Sequence, residues 1–259
     1  MKILALCFFI LLTSCSTFNK DREKKESAKV SLEGYRPLTS LDYIDHIKAF
    51  EAFYLDSKEV KVYPLTAKEK NYLTEIASEL VKNNELFFKS KVQPSFRVVK
   101  SPVPFHFSLP GLRIFLSSGL IAKYIKSEKL LYSVIAYELI RSEKNIYKKA
   151  QIVPTGFMST SRALSLLRLN TNEKVEVHKW AFYTLKRVGV DPDIYLSWLQ
   201  IQNRNSVDFS LQLGDISSIS REESLFKAFI VENAKKKNGQ AKYERSSKDF
   251  YAFVNRLKR

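Results

Sequence analysis

The run Ser127-Glu128-Lys129-Leu130-Leu131-Tyr132-Ser133-Val134-Ile135-Ala136-Tyr137-Glu138-Leu139-Ile140-Arg141 decides the fold. Ser127 is a good N-cap residue, and Leu130, Leu131, Val134, Ile135 and Leu139 follow at the spacing of one helix face. The pattern predicts a strong helix that carries Glu138 within its apolar run. Tyr137 and Arg141 are four residues apart and share a side of that helix, while Glu138 and Arg141 form an i, i+3 pair.

Outward from this helix the pattern alternates between short strands and further helices. Upstream, Phe96 to Val99 and Leu112 to Leu116 read as strands, separated by the proline-punctuated segment Ser101 to Pro110. Earlier still, Thr66 with Glu69 three residues later is a capping box for a helix that presents Tyr72, Leu73, Ile76 and Leu80 and ends near Asn83-Asn84. Leu41 to Phe53 places Ile44, Ile47, Phe50 and Phe53 on one helix face. Downstream, Lys148 to Ser161 reads as a polar loop. A helix from about Asn172 to Val188 stops at Gly189, and Asp191-Pro192 opens the next. Glu222 to Ala234 and Ser247 to Leu257 are helical, with Lys235-Lys236-Lys237-Asn238-Gly239 between them. The expected architecture is α+β and mainly helical: a single domain over residues 37–259 with a small β-sheet and basic C-terminal helices.

Composition limits the function classes. At 45% hydrophobic and 27% charged residues, the 259-residue chain is globular, not disordered over its whole length. The 43 Lys and Arg against 27 Asp and Glu give a net charge of +16, which calls for an anionic partner or surface. Only 7 residues are Gly, which argues against glycine-rich nucleotide loops. The two cysteines, Cys7 and Cys15, lie at the extreme N-terminus, so the rest of the chain has neither a disulfide nor a thiolate metal site.

The N-terminus reads as an address. Lys2 precedes an apolar run from Ile3 to Leu12, which is short of the roughly 20 residues a permanent span needs. Leu12-Thr13-Ser14-Cys15 resembles the bacterial lipobox, in which cleavage before the Cys is followed by its acylation. Residues 1–14 are therefore expected to be a lipoprotein signal peptide, Cys15 the lipidation site and 15–36 a flexible lipidated tether. Ser16 in place of Asp implies, by resemblance to Gram-negative lipoproteins, outer-membrane sorting with the domain facing the periplasm. Export also removes nucleic acid as a partner for the basic charge.

Two further segments carry a family resemblance. Phe107-Ser108-Leu109-Pro110-Gly111, then Arg113-Ile114-Phe115-Leu116, then Ser118-Gly119-Leu120, are followed by Ala136-Tyr137-Glu138-Leu139-Ile140-Arg141. Later come Lys174 to His178, a helix, and Gly189-Val190-Asp191-Pro192. Order and spacing resemble the zinc metallopeptidase family that includes HtpX, the CAAX prenyl proteases and the periplasmic protein BepA, over about Thr66 to Gln202. That family carries A-H-E-x-x-H on the helix and E-x-x-x-D later. Two histidines at i and i+4 hold zinc, the Glu between them activates the metal-bound water, and a carboxylate completes the site. In this chain the two histidine positions hold Tyr137 and Arg141, the third-ligand position holds Lys174 and the partner Asp position holds His178; Glu138 alone remains, at the general-base position. Arg141 is a permanent cation that repels a dication and offers no lone pair. The resemblance thus implies the peptidase fold without its metal or cofactor. Its centre would be ion-paired, with Arg141 and Lys174 set against Glu138, Glu173 and Glu176.

The plain alternatives are structural. Glu138 reads as a helix residue paired with Arg141, and Tyr137 as a packed aromatic. His46, His106 and His178 stand alone in three segments and read as structural or surface groups. Trp180, Phe182, Tyr183, Tyr195, Trp198 and Leu199 read as helix packing. Nine Lys or Arg between Lys235 and Arg259 form a solvated basic face or a surface for anionic lipid or polymer. Three functions follow. One is a non-catalytic envelope lipoprotein that binds polypeptide or an assembly partner in the vacated cleft, by β-augmentation among other means. Another is an active zinc endopeptidase with unusual ligands. The third is a basic structural lipoprotein that tacks the membrane to an anionic layer.

Overall fold

Local hydrogen bonding sets most helix starts. In the computed structural model, which describes residues 38–88, 92–149, 158–233 and 245–258, Thr39 opens α1 (Ser40–Leu55) through a capping box with Asp42. Thr66 opens α2 (Ala67–Lys82) through the expected capping box with Glu69. The expected apolar face of α2 is buried at all four positions, Tyr72, Leu73, Ile76 and Leu80. In α1 the buried face is Ile47, Phe50 and Tyr54, while Phe53 points outward at 44% exposure. Tyr54 is preferred because its ring packs edge-on to Phe107 and Phe115 and its hydroxyl hydrogen-bonds Thr160. The signal peptide read over 1–14, Cys15, the tether read over 15–36 and the Lys235–Gly239 loop lie outside the described residues.

The sheet holds two more strands than the sequence suggested. Its strands are β1 (Val62–Tyr63), β2 (Ser95–Val99), β3 (His106–Leu109) and β4 (Arg113–Ser117), in the spatial order β1-β2-β4-β3. β2 runs parallel to β4, with Phe96 beside Ile114, and the other pairings are antiparallel. β3 lies inside the segment read as a proline-punctuated connection. Its four residues are all buried, so the polar positions of the alternating His-Phe-Ser-Leu are turned inward and not to solvent. Phe107 and Leu109 join a core with α1, Phe105 and Phe115. His106 and Ser108 instead bond to Glu138 on the helix read first, α4 (Glu128–Glu143).

Helices therefore cover both faces of the sheet. On one side lie α1 and α5 (Thr160–Leu167), which begins at the end of the expected polar loop. On the other, α4 packs with α2, α6 (Thr171–Val188), α7 (Asp193–Arg204), α9 (Ile216–Asn233) and α10 (Lys248–Leu257). The short α3 (Ser118–Lys123) and α8 (Ser210–Leu213) complete the set. α4 is buried on every side from Leu130 to Ser142. Ser127 holds the N-cap position without a side-chain cap bond; the first turn is closed instead by Ser246 Oγ, which accepts from the Glu128 amide at 3.1 Å. α6 ends at Gly189, whose φ of 81° suits glycine, as expected. Asp191 Oδ1 accepts from the Asp193 amide and starts α7, with Pro192 at the cap position. α9 begins six residues before the expected Glu222. Residues Thr39–Arg259 form one unit, and no helix among the described residues is long and apolar enough to cross a membrane.

Gly119 fixes the approach of α3 to the connection before β3. A Cβ there would meet the Pro102 carbonyl oxygen at 2.2 Å and the Ser101 oxygen at 2.8 Å, both backbone atoms. Gly119→Ala is expected to destabilise the chain by about 1–3 kcal/mol through overpacking, measured as a lower urea midpoint at unchanged slope. An unchanged midpoint would contradict this packing.

Candidate functional site

The site is built around α4. Glu138 is fully buried, and a lone buried carboxylate is costly. Its partner is His106 of β3, whose Nδ1 lies 2.5 Å from Oε1. Burial pushes the Glu138 carboxyl up, but the His106 hydrogen bond and the His106 and Arg141 charges together outweigh it and hold the group below the usual carboxylate range. The ionised carboxylate accepts, so Nδ1 carries the proton and donates. Arg141 is 5% exposed. Its Nη1 stands 3.9 Å from Glu138 Oε2, Nη2 donates to the Leu167 carbonyl, and the guanidinium lies over the Tyr147 ring at 5.2 Å.

A second charge cluster faces it from α6 and α9. Lys174 donates to Glu222 Oε1 at 2.7 Å. His178, one turn along the same helix, sets Nε2 3.6 Å from Glu222 Oε2 and bonds Tyr195 through Nδ1 at 2.7 Å. Burial holds His178 below its ordinary value and therefore neutral, despite Glu222. Burial pushes the Glu222 carboxyl up, but His178 facing it at 3.6 Å and the Lys174 ion pair outweigh that and hold it down. Tyr137 sits between the two clusters, its ring 5.7 Å from His106 and 5.2 Å from His178. Burial raises the Tyr137 and Tyr195 hydroxyls, so both stay neutral.

The three positions expected, from the sequence resemblance, to correspond to zinc ligands line one small cavity. Tyr137, Arg141 and Lys174 share it with His106, His178, Gln212 and Glu222, and its volume is about 40 Å³. A cavity needs at least ~10–15 Å³ to hold one water, so this one admits only small groups. At the edge of β3, the His106 amide already donates to Gln212 Oε1 at 2.9 Å. Around His106 the strand edge is taken, and an added peptide strand has no donor to pair with there.

The expected ion pairs are partly redistributed. The Glu138–Arg141 pair is present, although His106 is the closer partner. Glu173 does not serve the centre: its carboxylate closes the capping box of α6 with Asn170. Glu176 accepts from the Trp180 indole at 2.8 Å on the exposed side. Both lie on the first turns of α6, where the free amides and solvent compete for their charge. The acid that balances Lys174 is Glu222, which the sequence reading passed over. Its signal was available, because Ile219, Glu222, Phe226 and Phe229 recur at helix spacing and put the carboxylate on an apolar face. His106 and His178, read as isolated, meet around Tyr137. His46 is half-buried on α1.

Zinc does not fit the residues at these positions. Arg141 has no lone pair to offer, and the Lys174 ammonium is bound to Glu222. Both cations would repel a dication. Among the described residues no group of three His, Cys, Asp or Glu is arranged to hold a metal ion. Neither a protein-family model nor a curated protein matches the sequence.

Proposed function

We propose that this chain is a catalytically inactive, metallopeptidase-like lipoprotein of the cell envelope, anchored through Cys15, whose former catalytic centre is an ion-paired core. It acts by binding a polypeptide or an assembly partner and cuts nothing. One observation carries the reading: Tyr137, Arg141 and Lys174 come from two helices yet line a single cavity. Sequence spacing alone put them at ligand positions, and their meeting in space is what the resemblance requires. The cations then do what a dication would do for the charge balance. Arg141 and Lys174 bring two positive charges to the carboxylates of Glu138 and Glu222.

The reading also says how a partner would bind. The cavity is small, about 40 Å³, and the His106 amide at the edge of β3 is already bonded to Gln212. A partner must present a terminus or a side chain, or use the outer surface. Purified protein incubated with unfolded casein is expected to give no cleavage that a chelator abolishes. Cleavage that stops with chelator and returns with zinc would sink the proposal.

A further inference from the structure

The cavity beside Tyr137 carries unpartnered groups that a sealed core would not keep. His106 Nε2 and Arg141 Nε are buried without a hydrogen-bond partner, and His178 Nε2, also without one, has Glu222 Oε2 3.6 Å away. Their residues are 3%, 5% and 4% exposed, and all three line the cavity. The lining is also unbalanced in charge. Arg141, Arg168 and Lys174 stand on it with Glu222, and Glu138 lies behind as the partner of His106 and Arg141. Three cations against two carboxylates leave one positive charge in excess, before any on His106. Glu173 does not offset it from the lining, since its carboxylate closes the N-cap of α6.

Size, charge and donors select one chemistry. The room admits only a small group, and a carboxylate has three heavy atoms. It brings a single negative charge and oxygens that accept N–H bonds; Arg141 Nε is free to give one, and Arg168, whose Nε and Nη2 already donate to the Gln212 and Leu211 carbonyls, adds its charge. Arg168 and Gln212 are the half-exposed part of the lining, so the approach lies on that side. We propose that this cavity is a binding site for a carboxylate group, supplied either by a small monocarboxylate or by the C-terminus of a polypeptide. The inference rests on the reading that the centre holds no metal.

The chain has three histidines, which makes the site easy to watch. Full-length protein labelled with ¹⁵N at histidine is titrated with sodium formate and sodium acetate against sodium chloride at equal ionic strength. Saturable shifts of the His106 and His178 imidazole nitrogens, with His46 still, are expected from the carboxylates and not from chloride. Equal effects from chloride, or none from any salt, would overturn the site. In a second arm a short peptide with a free C-terminus is compared with its amidated form. Binding of the free form alone supports the polypeptide as the source, and equal binding of both overturns it. Arg168→Gln, at the half-exposed wall, is expected to weaken binding at least tenfold, whereas unchanged affinity contradicts the assignment. Chelator should change nothing. Shifts that need zinc would overturn the metal-free reading itself, whereas failure to bind in metal-free protein overturns only the carboxylate site.

Discussion

Replacing Glu138 by Gln is expected to cost about 3–5 kcal/mol of folding stability, the usual penalty for removing one member of a buried ion pair. The side chain is fully buried and answers both His106 at 2.5 Å and Arg141 at 3.9 Å. Without the charge, Arg141 keeps the Leu167 carbonyl and the Tyr147 ring but has lost its counter-ion. Urea unfolding followed by circular dichroism measures the loss. Glu176→Gln, on the exposed side of α6, serves as the control and should stay within about 0.5 kcal/mol. The sign separates the two accounts of Glu138. Active-site residues are held against stability, so their removal is commonly neutral or stabilising. A stable Glu138→Gln protein would mark Glu138 as a functional base and not a structural anion. The double variant Glu138→Gln/Arg141→Met is expected to lose less than the sum of the singles, because the two residues share an interaction.

Acid should loosen the same centre in two stages. His178 is held neutral by burial, below its ordinary 6.5. A base with a lowered folded pKa binds fewer protons folded than unfolded. Its stabilising effect is complete above about pH 6.5 and is lost as pH falls toward its folded value. Glu138 and Glu222 are held below the ordinary 4.5. Their contribution is present above about pH 4.5 and is lost as pH falls through their lower folded values. Stability should therefore decline below pH 6.5 and more steeply below 4.5. Each extra proton bound by the unfolded chain adds about 1.4 kcal/mol per pH unit to the slope. Protonated His178 would add a cation near Lys174 and His106, with Tyr137, Tyr195 and Glu222 as its other neighbours. Urea midpoints measured from pH 7.5 to 4 test this. His178→Gln should flatten the upper stage and leave the lower one, and a flat wild-type profile across both stages would contradict the account.

Much of the framework was legible because it is written in local chemistry. Thr66 and Glu69 announce α2, Gly189 ends α6, and the apolar spacing around Leu130 to Leu139 gives α4. What was not legible depends on contacts distant in sequence. β3 is only four residues long and sits among Pro102, Pro104 and Pro110, so its brief polar–apolar alternation does not stand out as a strand. His106 and Glu138 are 32 residues apart, and Lys174 and Glu222 are 48 apart. Sequence spacing can pair Glu138 with Arg141 on one helix, but it cannot see the histidine that a strand brings closer. Glu173 shows the opposite error. It lies next to a key position, yet helix N-terminal amides claim it first. A polar residue on an apolar helix face, as at Glu222, is the signal most worth reading again.

The central claim is that side-chain cations occupy the positions where the resembling peptidases hold zinc. Its most direct test is the metal content of the purified chain, produced without chelator in zinc-supplemented medium and measured by mass spectrometry. The account predicts zinc far below one equivalent, unchanged by Tyr137→Ala. One equivalent of zinc per chain, lost in Glu138→Ala or Tyr137→Ala protein that remains folded, would contradict it.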